Sequence, residues 1–125
     1  MRKTRVIIAG CRNFSFMEVV EMAMLDRFGT DYSDIELVGG GAKGADALGK
    51  RFAMEHGIPY KEFPADWGTY HNAAGSIRNR QMAQYAIKGK GSGILIAFWN
   101  GKSRGTKHMI ETAKDFGMEV IVVSF

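Results

Sequence analysis

The residues best suited to chemistry in this chain are the glycines and charged side chains of residues 38–46. This stretch reads Val-Gly-Gly-Gly-Ala-Lys-Gly-Ala-Asp, follows an apolar run at 35–38 and precedes a helical pattern that reaches His56. Glycines at a turn from strand to helix allow positive φ angles and close approach of a ligand to the backbone amides. The stretch predicts either a phosphate-binding loop or an ordinary tight turn. Its candidate phosphate ligands are Gly39, Gly40, Gly41, Lys43 and Gly44.

The spacing of Gly39, Gly41 and Gly44 also fits a dinucleotide fingerprint. Lys43 is not followed by Ser or Thr, so the loop lacks the order of a P-loop NTPase. Asp46 can accept a hydrogen bond from a ribose hydroxyl, or it can cap backbone amides in the first turn of the helix. Both interpretations of Asp46 stay open at this stage.

Arg78 lies on a helical stripe with Met82 that is expected to face inward. A charge in that position costs stability unless it is paired, which predicts an anionic ligand or an ion pair with Asp46. Asn79 is a candidate to hydrogen-bond a sugar or base, whereas Arg80 is expected to be solvated.

Two further loops carry candidate ligands. Gly10 and Arg12 directly follow the first apolar run, and Arg12 is expected either in the crevice or in solvent. Ser103, Gly105 and Thr106 open the last helical pattern, where free amides form a second anion site or where the two hydroxyls serve only as caps.

Five apolar runs alternate with helical patterns, which predicts an α/β fold with right-handed crossovers. We expect one Rossmann-like, three-layer domain over residues 1–125, with a mainly parallel five-stranded sheet in the order 3-2-1-4-5 and helices on both faces. Such sheets bind ligands where the strand order reverses, at the carboxyl ends of the strands. The three candidate loops converge at that point. The predicted strands cover residues 6–10, 35–38, 58–63, 93–98 and 118–123.

The first helix is predicted from a capping box between Ser15 and Glu18 and is expected to end at Phe28. Residues 64–71 are predicted to form a loop, followed by a helix over 72–87. The last helix is expected to run from the region of Ser103 to residue 116.

Four side chains near these loops have alternative interpretations. Trp67 is a candidate for stacking on a base, whereas Trp99 is expected to anchor its loop to the core. Cys11 is expected to be a small buried side chain, because no histidine is placed to activate it. His71 is the histidine expected to reach the site.

The bulk composition limits the classes of partner. A net charge of +4 and a pI near 9.3 suit anionic partners such as nucleotides or, less well, nucleic acid. One cysteine excludes an internal disulfide and favours a reducing compartment. No zinc spacing or membrane-length apolar run is present, so we expect a cytoplasmic protein without metal, cofactor or membrane partner. A homo-oligomer stays open.

Together these motifs resemble the YspA-type branch of the SLOG superfamily, whose relatives include the LOG-type phosphoribohydrolases and the DprA proteins. The resemblance covers nearly the whole chain and implies a Rossmann-like fold that binds a nucleotide or nucleotide derivative. In some members the base–ribose bond is cleaved. The residues that carry the resemblance are Gly10, Arg12, 39–46, 78–80, Met82, Ser103, Gly105 and Thr106.

Carried over by position, Arg78 matches the arginine of the LOG helix motif and residues 105–106 match its Gly-Thr pair. Met109 occupies the position of the LOG catalytic glutamate, and Glu111 lies about half a turn away around the helix. Cleavage through an oxocarbenium-like state benefits from a nearby carboxylate, so this loss weighs against LOG-type hydrolysis.

The first hypothesis is therefore a domain that binds a nucleotide-derived small molecule as a sensor or sequestering protein. The second is a nucleoside-phosphate N-glycosidase, with Asp46 and Arg78 as its catalytic candidates. DprA-like binding of single-stranded nucleic acid is third. An NAD-dependent oxidoreductase is fourth, because a chain of 125 residues has no room for a catalytic domain.

Overall fold

The computed structural model describes residues 2–125, and no helix among them is long and apolar enough to span a bilayer. Strands and helices alternate along most of the chain. The strands are β1 (Thr4–Gly10), β2 (Ile35–Gly39), β3 (Tyr60–Glu62), β4 (Ile94–Trp99) and β5 (Glu119–Ser124). The helices are α1 (Met17–Phe28), α2 (Ala45–Glu55), α3 (Trp67–Tyr70), α4 (Ala74–Ile87) and α5 (Arg104–Asp115).

The five strands form one sheet in the order β3-β2-β1-β4-β5, and each neighbouring pair is parallel. In the centre of the sheet, Ile7 of β1 pairs with Val38 of β2 and with Leu95 of β4. The predicted fold class and strand order are confirmed. The order reverses between β1 and β4, as expected.

Side chains along β1 point alternately to the two faces of the sheet, and each face is covered by its own hydrophobic core. Ile8 packs in one core with Met24 of α1 and Phe52 of α2. Ile7 packs in the other core with Met82 of α4 and Met109 of α5. Because a central parallel strand is covered on both faces, its sequence is a continuous apolar run instead of an alternating one.

The predicted capping box is wrong. The N-cap of α1 is Phe16, and no side chain caps the helix. The preceding Phe14 is only 1% exposed and stacks on Phe98 with ring centroids 4.7 Å apart. Burying a phenylalanine is worth roughly 1.5–3 kcal/mol, whereas a serine cap contributes about 1 kcal/mol. α1 therefore begins beside the buried Phe14 and without a side-chain cap.

The predicted loop at 64–71 is also wrong in part, because it contains the single turn of α3. Asp66 is the N-cap of this helix, and its carboxylate accepts a hydrogen bond from the amide of Thr69 at 3.1 Å. A 3₁₀ turn over His71–Ala73 then leads into α4, which starts at Ala74 instead of residue 72. No residue of α3 is buried, so the sequence carries no apolar periodicity from which this helix could be predicted.

Candidate functional site

A cleft of about 570 Å³ opens at the carboxyl ends of β1 and β4, where the strand order reverses. All three loops named from the sequence contribute to its wall, together with the first turns of α4 and α5. The predicted site residues that line it are Gly10, Arg12, Asp46, Arg78, Asn79, Ser103, Gly105 and Thr106.

A second cavity of about 510 Å³ adjoins the cleft on the side of the glycine-rich loop. The two cavities share Arg12, Ala42, Trp67 and Arg78. The predicted residues that line only the second cavity are Gly40, Gly41 and Lys43.

Gly39 and Gly44 line neither cavity. Gly39 is the last residue of β2, and a Cβ there would lie 2.5 Å from Oη of Tyr60. Gly44 is the N-cap of α2 with a φ of 75°, and a Cβ there would overlap the carbonyls of Cys11 and Arg12. Both glycines therefore serve the close packing of the loop.

The glycine-rich loop wraps around the side chains of Asp46 and Arg78. Oδ2 of Asp46 accepts a hydrogen bond from the amide of Ala42 at 3.3 Å. A Cβ at Gly40 would overlap the guanidinium of Arg78 and lie 2.8 Å from Oδ2 of Asp46. The amide that Asp46 binds precedes α2, so it belongs to the loop and not to the first turn of the helix as expected, and Asp46 also lines the cleft wall. Its contact with a ribose hydroxyl stays a prediction.

Asp46 is a buried carboxyl group, only 6% exposed. Burial raises the pKa of Asp46, because removal from water disfavours the charged form. The nearby Arg78 guanidinium, the amides of Ala42 and Gly40, and Arg12 act in the opposite direction without cancelling the pKa rise. A carboxyl group with a raised pKa in a cleft is typical of functional sites, although ion-pair networks produce it too.

The guanidinium of Arg78 is fixed by neutral groups. Its Nη1 donates to the carbonyl of Gly40 at 2.8 Å, and its Nε donates to Oδ1 of Asn79 at 3.2 Å. The carbonyl of Gly40, instead of the carboxylate of Asp46, is thus its close acceptor on the loop. The positive charge is half-buried in the wall of both cavities.

Asn79 connects Arg78 to α5. Its side chain is 6% exposed, and Nδ2 donates to Nδ1 of His108 at 3.1 Å and to the carbonyl of Gly105 at 3.4 Å. His108 lines the cleft, whereas His71 is exposed and lines neither cavity. The expectation that His71 reaches the site is therefore wrong.

His108 and Arg104 are cleft residues that the sequence reasoning missed. They lie four residues apart on α5 and therefore on one helical face. His108 follows the predicted ligand Gly105 by three residues, a spacing that places both on one helical face and indicates His108, and Arg104 lies one turn before His108 by the same rule.

Ser103 caps the start of α5 at the amide of Thr106. Oγ of Ser103 accepts a hydrogen bond from the amide of Thr106 at 3.3 Å, and the carbonyl of Ser103 accepts one from Nε1 of Trp99 at 3.0 Å. Trp99 thus anchors its loop, as predicted. The preceding residues of the first turn, Arg104 and Gly105, line the cleft at the positive end of the helix dipole.

Cys11 and Met109 form an apolar part of the cleft wall. Cys11 is 3% exposed, with Sγ 3.9 Å from Oγ1 of Thr106, which confirms it as a small buried side chain. Met109 is 1% exposed, and Glu111 is exposed outside the cleft. Within residues 2–125, no cluster of three or more His, Cys, Asp or Glu side chains could hold a metal ion.

The fold and site define a Rossmann-like α/β domain with a cationic cleft at its topological switch point. The family model for the YspA, cpYpsA-related SLOG family matches residues 4–70. The gene 61 protein of Mycobacterium phage D29 is 32% identical over 124 residues, covering 94% of each chain. No solved structure gives a significant match. The chain belongs to the YspA, cpYpsA-related SLOG family, a membership consistent with nucleotide-related binding.

Proposed function

We propose that the cleft binds a nucleotide or a nucleotide-derived small molecule, and that the protein acts as a sensor or sequestering domain. The observation that carries this proposal is the convergence of Arg12 and Arg78 with the first turn of α5 in one cleft. Guanidinium groups and helix N-terminal amides are the donors that phosphate oxygens prefer. Asp46 is the one carboxylate side chain among the lining residues of the cleft.

The arrangement suggests how the parts of a nucleotide are distributed. A phosphate fits against the first turn of α5, where Arg104 adds a further positive charge. Trp67 is half exposed and lines both cavities, so its ring is available to stack on a base. Asp46 supplies a carboxyl group of the kind that binds ribose hydroxyls, whereas the amide of Asn79 is already engaged by Arg78, Gly105 and His108.

Isothermal titration calorimetry with nucleoside 5′-mono-, di- and triphosphates tests the proposal, together with native mass spectrometry for a co-purifying nucleotide. Arg12 is exposed and lines both cavities, so Arg12→Ala tests binding with little effect on folding. A hydrogen bond to a charged group is worth about 1.5–3 kcal/mol, so we expect a loss of affinity of roughly 10- to 100-fold.

Arg80→Ala is the matched control, because Arg80 is exposed on α4 and lines neither cavity. It removes the same charge from the same region of the fold. Equal affinities for the Arg12→Ala and Arg80→Ala variants would contradict the assigned role of Arg12. If no nucleotide binds the unsubstituted protein, the proposed function is wrong.

A nucleoside-phosphate N-glycosidase is the second candidate, and the presence of the Asp46 carboxyl group in the cleft wall favours it. An enzyme of this type would release free base from a nucleoside monophosphate. Chromatography of incubated nucleotides detects that base, and Asp46→Asn should abolish its release. The absence of released base with every nucleotide that binds would leave the binding function and refute the enzyme.

A further inference from the structure

We infer that the ligand carries two separated phosphate groups, one for each cavity, an inference that rests on the proposed function. The cleft and the second cavity have volumes of about 570 and 510 Å³. Each is within the range of roughly 300–1,000 Å³ that is typical of a small-molecule pocket. A nucleoside monophosphate that fills the cleft therefore leaves the adjoining cavity without an occupant.

The second cavity is built for an anion. The charged side chains among its lining residues are Arg12, Lys43 and Arg78, and no carboxylate lines it. Gly40 and Gly41 also line it, with the Arg78 guanidinium packed against Gly40 and the Glu62 carboxylate packed against Gly41 from outside the lining. These three side chains give the lining of the cavity a net positive charge, and those of Arg12 and Lys43 are exposed, so they can pair with a phosphate that enters it.

The two anion positions are distinct. Arg104 lines the cleft but not the second cavity, and Lys43 lines the second cavity but not the cleft. Arg12, Trp67 and Arg78 belong to both and therefore stand at their junction. A ligand that reaches both ends places one phosphate near Arg104 and the other near Lys43, with its nucleoside beside Trp67. The chemical class that satisfies this is a nucleoside with phosphates at both its 3′ and 5′ positions.

Calorimetry with the four ribonucleoside 5′-monophosphates and the corresponding 3′,5′-bisphosphates tests this inference on the intact protein. We expect the bisphosphate of the preferred base to bind at least about tenfold more tightly than its monophosphate, the value of one charge-assisted contact. Lys43→Gln should reduce that ratio toward one. Arg104→Gln should weaken both ligands by similar factors and preserve the ratio.

Lys114→Gln is the matched control, since Lys114 is exposed in the last turn of α5 and lines neither cavity. A bisphosphate that binds no more tightly than the monophosphate overturns the inference and leaves the proposed function in place. A ratio that falls equally in the Lys43→Gln and Lys114→Gln variants also overturns it, because the effect would then be one of net charge. If neither class of nucleotide binds, both proposals are wrong.

Discussion

Gly40→Ala is the substitution that most directly tests how the candidate site is held together. A Cβ at this position would overlap Nη1 of Arg78, and it would lie 2.7 Å from Cζ of the same side chain. The added methyl group therefore competes with the guanidinium for one space. We expect the variant to be destabilised and to bind nucleotide more weakly, because Arg78 is displaced from the cleft wall.

The magnitude follows from two alternative responses. If the guanidinium moves, its 2.8 Å hydrogen bond to the carbonyl of Gly40 is lost, at about 1.5–3 kcal/mol for a bond to a charged group. If it stays, the overlap remains, and overpacking costs typically about 1–3 kcal/mol. The guanidinium either moves or stays, so only one of these two costs applies and they are not summed. We expect the free energy of unfolding to fall by about 2 kcal/mol, a shift in Tm of roughly 5–10 °C for a chain of this length.

A double-mutant cycle measured by urea unfolding isolates the contact. In Arg78→Ala the guanidinium is absent, so adding Gly40→Ala should cost about 1.5 kcal/mol less than it does in the unsubstituted protein. Gly68→Ala is the control, because the nearest atom to its Cβ is Oδ1 of Asp66 at 3.7 Å. If Gly40→Ala lowers the free energy of unfolding as much in the Arg78→Ala variant as in the unsubstituted protein, the contact with Arg78 is not the cause. Other neighbours of Gly40 would then account for the loss of stability.

Three further predictions concern single side chains. Trp67→Ala should weaken nucleotide binding by about 1–3 kcal/mol in calorimetry if a base stacks there, whereas Tyr70→Ala, also exposed on α3 but outside both cavities, should not. Because burial raises the pKa of Asp46 above its ordinary value of 3.8, the folded protein keeps that proton to higher pH than the unfolded chain. The unfolding free energy should therefore fall as pH rises through the folded-state pKa, and parallel pH–urea profiles for Asp46→Asn and the unsubstituted protein would contradict this. Tyr85→Phe removes the hydroxyl that donates to the Glu36 carboxylate at 2.8–2.9 Å. Urea unfolding should show that the free energy of unfolding falls by about 1.5 kcal/mol. A fall of less than about 0.5 kcal/mol would contradict a stabilising role for this hydrogen bond.

Much of the fold was predictable, because continuous apolar runs and glycine stops mark parallel strands and helix ends over long stretches. Gly29, for example, ends α1 with a φ of 67° as its position predicts. The reversal of strand order between β1 and β4 then follows from topology. It places Arg12, Asp46 and Gly105 in one cleft, although they are far apart in the sequence.

The errors occur where a tertiary contact decides the local structure. Ser15 forms no cap, and α1 begins two residues later beside Phe14, whose burial in the core the sequence pattern does not show. His108 of α5 accepts a hydrogen bond from Asn79 of α4, and this contact depends on how the two helices pack. Helical spacing can suggest such a residue, but only packing fixes its partner.

The position of its carboxylate argues that this cleft is better suited to holding a nucleotide than to cutting one. Stabilising an oxocarbenium-like ribose requires a carboxylate whose charge is directed at the sugar. Oδ2 of Asp46 is instead engaged by the amide of Ala42, and burial disfavours the ionised form that would be needed. Met109, which the resemblance matches to the LOG glutamate, is buried and lines the cleft with an apolar side chain. Arg12 and Arg104 already line the cleft, so the proposed phosphate binding would need no rearrangement of the loop, whereas cleavage would require Asp46 to leave it.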